Sequence, residues 1–368
     1  MVITGALKYK KLSYLILCSK IVFMLFAEFV YSKFTKLGDT ERYLSANFVF
    51  ESDIFTSSTK IMDFTGSIVS YLGSPFYHMP ALLLSYLGIV YLQRAIERIG
   101  GLDSKFSRIV FFLLMTSASF SIWTSIHSKE AVAVFFMSVL SSQLIASSKG
   151  LKSEVRFASY LAIYLLAIFK PQFGIALVSC FVFVKVSRKF SFGGFSQLTF
   201  LFTMIAVQAF ALYQVSDQID LLANNMYQFF NTSGDSSNST RVNDVFVNDG
   251  DFLRNAPYGM FISFLGPMWS EVVAKPIFLI FYLESLFILF LLLSLLAPFF
   301  TKALNGRVNI FILSVVVIGV FWTLLVHYPF GVFNPGSAIR YRSNFYPLLV
   351  ALFFLAKSMH KNSKVYEI

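Results

Sequence analysis

The chain has 368 residues, 57% of them hydrophobic and 13% charged, with a mean hydropathy of +0.69 and a net charge of +11. Soluble domains carry about 25% charged residues, so this composition excludes a soluble enzyme. The succession of apolar runs of helix-spanning length predicts an all-α polytopic membrane protein, one integral membrane domain over residues 1–368.

The excess charge suggests nucleic acid only if its distribution is ignored. Six segments (Lys8, Lys10 and Lys11; Arg94, Arg98, Lys105 and Arg108; Lys149, Lys152 and Arg156; Lys185, Arg188 and Lys189; Lys302 and Arg307; Lys357, Lys361 and Lys364) carry 18 cations against the four acids Glu97, Asp103, Glu154 and Glu367. The intervening segments carry 11 cations against 13 acids. That alternation is the signature of cytoplasmic loops. The expected partner of the basic surface is the lipid bilayer, with no nucleic acid.

Taken in chain order, the apolar runs predict about ten spans, at residues 12–31, 66–93, 109–126, 131–148, 157–170, 172–187, 195–213, 276–298, 308–327 and 345–357. An even number places both termini in the cytoplasm. The first run follows lysines but has no small-x-small cleavage site, so it reads as an uncleaved helix. Cys18 and Cys180 fall inside spans and read as packing residues. The turns at His127-Ser128-Lys129-Glu130 and Lys170-Pro171-Gln172 join short runs, which predicts turns sunk below the outer surface and lining a cavity.

The outer face carries the chemistry. After the first span comes KLGDTERYLSANFVFESD, with Asp39, Glu41, Arg42 and Tyr43, whose apolar Leu44, Phe48 and Phe55 suit the interface. His127, Lys129 and Glu130 occupy the first sunken turn, and Lys170 the second. One long loop, about residues 214–274, opens polar and Ser/Asn/Asp-rich, which predicts a mobile flap. It continues as FLRNAPYGMFISFLGPMW, carrying Arg254, which predicts a re-entrant or interfacial segment. Finally, Asn334-Pro335-Gly336 reads as a turn, bringing Arg340, Tyr341 and Arg342 to the start of the last span.

Any one of these cations could be a snorkelling helix-end residue. Together they place forked guanidinium and ammonium groups at headgroup depth, which suits the phosphate or diphosphate of a lipid-linked ligand. Asp39 and Glu41 then supply a base or acid for a hydroxyl nucleophile, and the inferred chemistry is glycosyl transfer.

The Gly38-Asp39-Thr40-Glu41-Arg42-Tyr43 stretch, the Trp123-Thr124-Ser125 followed by Ser128-Lys129-Glu130, the segment Ala256 to Glu271, and Asn334 to Arg342 resemble bacterial O-antigen or capsular repeat-unit polymerases and related polyprenyl-dependent glycosyltransferases of the GT-C type. The resemblance implies a GT-C-like bundle in the bacterial inner membrane. It implies catalysis at the periplasmic face by Asp39 and Glu41. Substrate contacts would come from Arg340, Arg342, Lys129, Lys170, His127, Arg254 and Tyr341. The implied substrate is a polyprenyl-phosphate- or diphosphate-linked glycan and the implied protein partner a chain-length regulator. No cofactor is expected, and no residue pattern indicates a metal. The acids stand as Asp39-Thr40-Glu41 where single-sugar transferases often have adjacent acids, which favours the polymerase.

A flippase for lipid-linked sugars would share the cations and the cavity, but the halves show no repeat symmetry and few intramembrane acids beyond Glu28 and Glu284. An O-acyltransferase would need a histidine with a nearby acid, and His78, His127, His327 and His360 are scattered in the sequence. The tripeptides at Asn231 and Asn238 arise readily in a Ser/Asn-rich loop. Reporter fusions at Gly234 and Gly336 are expected to score as periplasmic; a cytoplasmic signal at either position overturns the span assignment.

Overall fold

The computed structural model describes residues 8–50, 52–152, 156–232, 240–304 and 309–358, with the backbone alone at 156 and 296–304. Glu154, Gly234, Asn238, Arg307, His360, Lys361, Lys364 and Glu367, singled out above, lie outside these residues, as does part of the Asn231 tripeptide.

All regular structure in the described residues is helical. The helices are α1 Lys10–Phe29, α2 Thr40–Leu44, α3 Ser58–Val69, α4 Met79–Arg98, α5 Lys105–Met115, α6 Ala118–Thr124, α7 Lys129–Lys149, α8 Arg156–Phe169 and α9 Gly174–Lys189. They continue as α10 Gly194–Tyr213, α11 Ser216–Thr232, α12 Asp251–Arg254, α13 Ala256–Leu265, α14 Trp269–Ala274, α15 Leu279–Leu304, α16 Ile310–Gly331 and α17 Pro335–Ser358. Among the described residues seven helices are long and apolar enough to cross a membrane, or eight if α5 and α6, bent by 52°, form one broken span. The chain is therefore a multi-pass membrane protein by helix length and composition.

Eight of the ten apolar runs fall on one helix each, whereas 109–126 is broken between α5 and α6 and 66–93 between α3 and α4. The expected span 66–93 divides, because Gly73 adopts φ +72 and Pro75 follows it, so α3 ends early and α4 starts at Met79 with a proline in its first turn. The last helix begins ten residues sooner than expected. Asn334 does not make an open turn; its side chain accepts from the Ser337 N–H at 3.0 Å and Pro335 follows, an N-cap and first-turn pair. Arg340 and Arg342 consequently sit inside α17.

Residues up to Gly174, together with Ser343–Phe354 of α17, form one compact unit; Ile175–Arg342 and the C-terminal residues form a second. In the first unit α4 and α7 lie against each other. Gly88 permits this, since a Cβ there would stand 2.7 Å from the Phe135 Cα. Ser128 caps α7 by accepting from the Ala131 N–H at 3.1 Å, and Gly150 ends it in the left-handed conformation with φ +69. Aromatic pairs seat the apolar part of α17: Phe345 with Phe173, Tyr346 with Phe120 and Phe354 with Phe111.

In the second unit α9, α10 and α16 share an intramembrane polar link. Trp322 donates to Gln208 Oε1 at 2.7 Å and Gln208 donates to Ser179 at 2.6 Å. The segment expected to be a flap is anchored over residues 240–255. Arg241 grips Glu271 with two bonds of 2.7 and 2.9 Å, and Asp220 accepts from the Gly250 and Phe252 N–H groups at 2.8 and 2.9 Å. Gly259 lets α13 meet the Tyr328 ring, whose hydroxyl donates to the Phe252 carbonyl at 2.6 Å.

Gly88→Ala should destabilise the first unit by about 1–3 kcal/mol, as expected for overpacking, and lower the thermal midpoint in detergent. Gly193→Ala, where no atom lies within 4 Å of the added Cβ, should leave it unchanged.

Candidate functional site

One end of the first unit gathers a cluster of ionisable side chains. Glu28 lies near the end of α1, an acid inside an apolar run. Its Oε1 accepts from Ser74 Oγ at 2.6 Å and from the Tyr77 hydroxyl, and its Oε2 stands 3.2 Å from His78 Nε2. The other ring nitrogen, His78 Nδ1, accepts from the His127 backbone N–H at 3.1 Å. Accepting there requires a bare Nδ1, so the neutral ring carries its proton on Nε2, facing the carboxylate. The His78 side chain is 0% exposed and that of Glu28 is 16% exposed, so only the acid reaches the surface.

His127 connects this pair to the rest. Its carbonyl accepts from Thr40 Oγ1 at 3.1 Å and its Nε2 donates to the Met62 carbonyl at 3.3 Å. The Tyr43 ring meets it edge-on at 6.2 Å, and the Tyr43 hydroxyl donates to Asp39 Oδ2 across 3.4 Å. Arg42 lies 4.7 Å over the Tyr43 ring and 3.9 Å from Asp63, while Lys129 Nζ donates to Thr59 Oγ1 at 2.8 Å. Burial holds the His127 imidazole below its ordinary pKa, against the opposing pull of the Met62 carbonyl.

The structure thus brings Asp39, His127 and Lys129 into one connected set. Asp39, just before α2, and Glu41, within it, are exposed, Lys129 is half-buried, and His127 is buried. The whole stretch 121–128 is buried within the protein. Lys170, half-buried, precedes the short turn Pro171–Phe173 elsewhere in this unit.

The remaining expected residues belong to the second unit. Arg254 is exposed at the end of α12. Arg340 is half-buried with its guanidinium 5.8 Å over the Tyr341 ring, and Tyr341 meets Phe330 edge-on. Arg342 is 1% exposed and donates to the Phe264 carbonyl at 2.8 Å and to Ser285 Oγ at 2.9 Å, with Glu284 3.9 Å away. A lipid phosphate would have to displace those partners, so Arg342 acts in this structure as a fastening between α17, α13 and α15.

Glu28, Tyr77, His78 and Asp63 are the site residues the sequence reasoning missed. An acid within an apolar run is itself a functional signal, and Glu28 gave it. His78 gave none, because 50 residues separate it from Glu28. Chemically the set offers carboxylates able to accept a proton, two cations able to hold an anion, and a carboxylate–histidine pair, its imidazole buried, that fixes the loop between them. Among the described residues no group of three or more His, Cys, Asp or Glu side chains is placed to hold a metal ion. Comparison with family models, curated proteins and solved structures finds no match.

Because the unfolded chain binds a proton at His127 more readily than the folded one, stability should fall as pH drops below about 6.5, the ordinary histidine value. Thermal unfolding of His127→Gln between pH 5 and 6.5 should show a shallower dependence on pH than the parent; equal slopes would remove His127 as the group responsible.

Proposed function

We propose that the chain is a membrane glycosyltransferase of surface polysaccharide assembly, acting at the periplasmic boundary of a bacterial inner membrane on a polyprenyl-diphosphate-linked oligosaccharide as an O-antigen repeat-unit polymerase. The observation that carries this reading is the meeting of Asp39, Arg42, Asp63, His127 and Lys129 at one end of helices that otherwise cross an apolar layer. Acids and cations collected there suit a reaction in which a hydroxyl loses a proton and a phosphate leaves.

In that reaction the acceptor hydroxyl oxygen bonds to the anomeric carbon, the carbon–oxygen bond to the lipid diphosphate breaks, and the diphosphate departs with the electron pair. Asp39, exposed at the start of the short helix α2, takes the hydroxyl proton. Lys129 and Arg42 face the negative charge of the leaving group; the ammonium of Lys129 would exchange its bond to Thr59 for a phosphate oxygen. Glu28 has both oxygens engaged by donors, so it orients His78 and through it the His127 loop. In the second unit Arg340 is the cation suited to a phosphate of the same substrate class.

The charge alternation supports ten spans for this protein, with both termini and the six basic clusters cytoplasmic and the 214–274 loop periplasmic. Beyond the seven helices that qualify by length and composition, the ten-span reading counts the bent pair α5–α6, the short helix α8 and α17. A single-sugar transferase using a polyprenyl-phosphate donor needs the same groups, and a flippase for lipid-linked sugars needs the cations alone.

Deletion should leave surface lipid carrying one complete repeat unit. Asp39→Asn, with protein level unchanged, should reproduce that phenotype and slow polymerisation by about 10²–10⁴. A shortened or undecorated unit would assign single-sugar transfer. Accumulation of cytoplasmic-facing lipid-linked units with no surface repeat would assign transport and end the enzyme reading.

A further inference from the structure

The segment that follows α10 opens as a helix. α11 runs Ser216–Thr232, and the Val215 carbonyl accepts from the Ile219 N–H at 3.2 Å, so Val215 shares its register. The fastening of α11 decides which way it faces. Asp220, buried, accepts from the Gly250 and Phe252 N–H groups at 2.8 and 2.9 Å, and Asn224 Oδ1 accepts from Asn243 Nδ2 at 2.9 Å. Ser216, Ala223 and Phe230 are buried on the same side. The helix cannot roll about its axis without giving up those bonds.

With that face fixed, helical spacing divides the rest of the surface into two strips. Val215, Ile219, Leu222, Met226 and Phe229 recur at alternating intervals of four and three and form an apolar strip. Its outer row is uncovered: Val215 is 38% exposed, Leu222 63% and Phe229 65%, whereas Ile219 and Met226 are half-buried. Asp217, Asn225 and Gln228, all exposed, form a polar strip beside it, with Leu221 the apolar residue on that side. The apolar strip starts where α10 ends. α10 is long and apolar enough to cross a membrane and turns Phe202, Val207, Phe210 and Tyr213 outward, and one residue, Gln214, separates Tyr213 from Val215. The lipid-facing surface of α10 therefore continues onto α11, which Asp217, Asp220, Asn224 and Asn225 make too polar to span.

We propose that α11 lies along the membrane boundary, with Val215, Leu222 and Phe229 inserted among the acyl chains of bilayer lipid and Asp217, Asn225 and Gln228 at headgroup level. A helix with an apolar strip beside a polar one settles there, its apolar side about 5–10 Å into the headgroup–acyl boundary. A partner helix packed as a coiled coil would use both rows of the strip, and the row of Ile219 and Met226 is already half-covered by this chain. α11 carries two acids and no cation, so apolar burial drives the insertion and anionic lipid adds nothing to it. Through Asp220 and Asn224 the inserted helix also sets the depth of the loop that holds Asn243 and Gly250. The inference is independent of the glycosyl-transfer reading and holds for either leaflet.

The test uses the full chain with Cys18→Ser and Cys180→Ala, reconstituted in phosphatidylcholine vesicles and given one new cysteine at a time for a nitroxide label. Oxygen concentrates in hydrocarbon and a neutral nickel chelate in water, so their collision rates with the label report depth. Val215→Cys, Leu222→Cys and Phe229→Cys should each show an oxygen-to-nickel ratio several-fold above that of Asp217→Cys and Gln228→Cys. Equal ratios at all five positions would place the strip in water and overturn the proposal. Low access to both reagents at the three apolar positions would mean a protein cover and overturn lipid as the occupant. Added phosphatidylglycerol should leave the ratios unchanged; high ratios that appear only in its presence would overturn apolar burial as the cause. Because a label could disturb its own site, a phosphatidylcholine with a diazirine in its acyl chain should also be crosslinked to the unmodified chain. Adducts on the peptide carrying Leu222 and Phe229 support the proposal, and adducts confined to the spanning helices overturn it.

Discussion

A hydrocarbon layer offers no hydrogen-bond partner, so every polar group a spanning helix carries into it must find one in the protein. Much of this structure is organised by that requirement. Lys20, fully buried in α1, donates to the Thr124 carbonyl and hydroxyl at 3.1 and 2.6 Å. Thr124 is the last residue of α6, where carbonyls lack intrahelical donors and a cation is favoured. Glu28, eight residues further along α1 and so about 12 Å away, holds His78, which receives the His127 N–H. One helix therefore fastens both ends of the loop from Thr124 to His127, and it does so with two ionisable side chains that each stabilise the fold only when paired.

The consequence reaches the exposed acids. The loop so fixed presents its carbonyl to Thr40 and its ring to Tyr43, and those residues belong to α2, the helix that begins just after Asp39. On its other side α2 rests on α3, where a Cβ at Gly66 would stand 2.2 Å from the Tyr43 carbonyl oxygen. A helix of five residues has little stability of its own. Its position is set by the buried loop and the glycine, so an exposed carboxylate is held on a rigid support without being buried itself.

The legible part of this molecule is the part written in local pattern. The apolar runs fall on helices, two of them broken, and the helix starts at α7 and α16 are capped by the local residues Ser128 and Asn309. The less legible part depends on which helix faces which. Asn334-Pro335 has the composition of a turn and of a helix start alike, and only the Ser337 N–H decides between them. Arg342 reads as a surface cation because its partners, the Phe264 carbonyl and Ser285, come from helices 78 and 57 residues away. The Glu28–His78 pair is hidden for the same reason, although the lone acid in an apolar run marks half of it. Local signals report the backbone, and long-range pairing reports what a charged group is for.

The helices α4 and α7 show how one pair of elements can carry two chemistries. Their backbones are pressed together at Gly88, so their ends are held in register through the apolar layer. At one end the histidine and carboxylates are hydrogen-bonded to each other and to backbone groups, which leaves little uncompensated charge. At the other, among the described residues, the cations Lys8, Arg94, Arg98, Arg108, Lys149 and Lys152 outnumber the acids Glu97 and Asp103, both of which accept from Lys8. The two ends therefore differ in net charge, and a lipid surface responds to that difference. Cationic groups near an anionic leaflet gain about 1 kcal/mol each, while carboxylates gain nothing there. The basic end is thus the one an anionic surface would favour, while the acids of the other end are compensated within the protein.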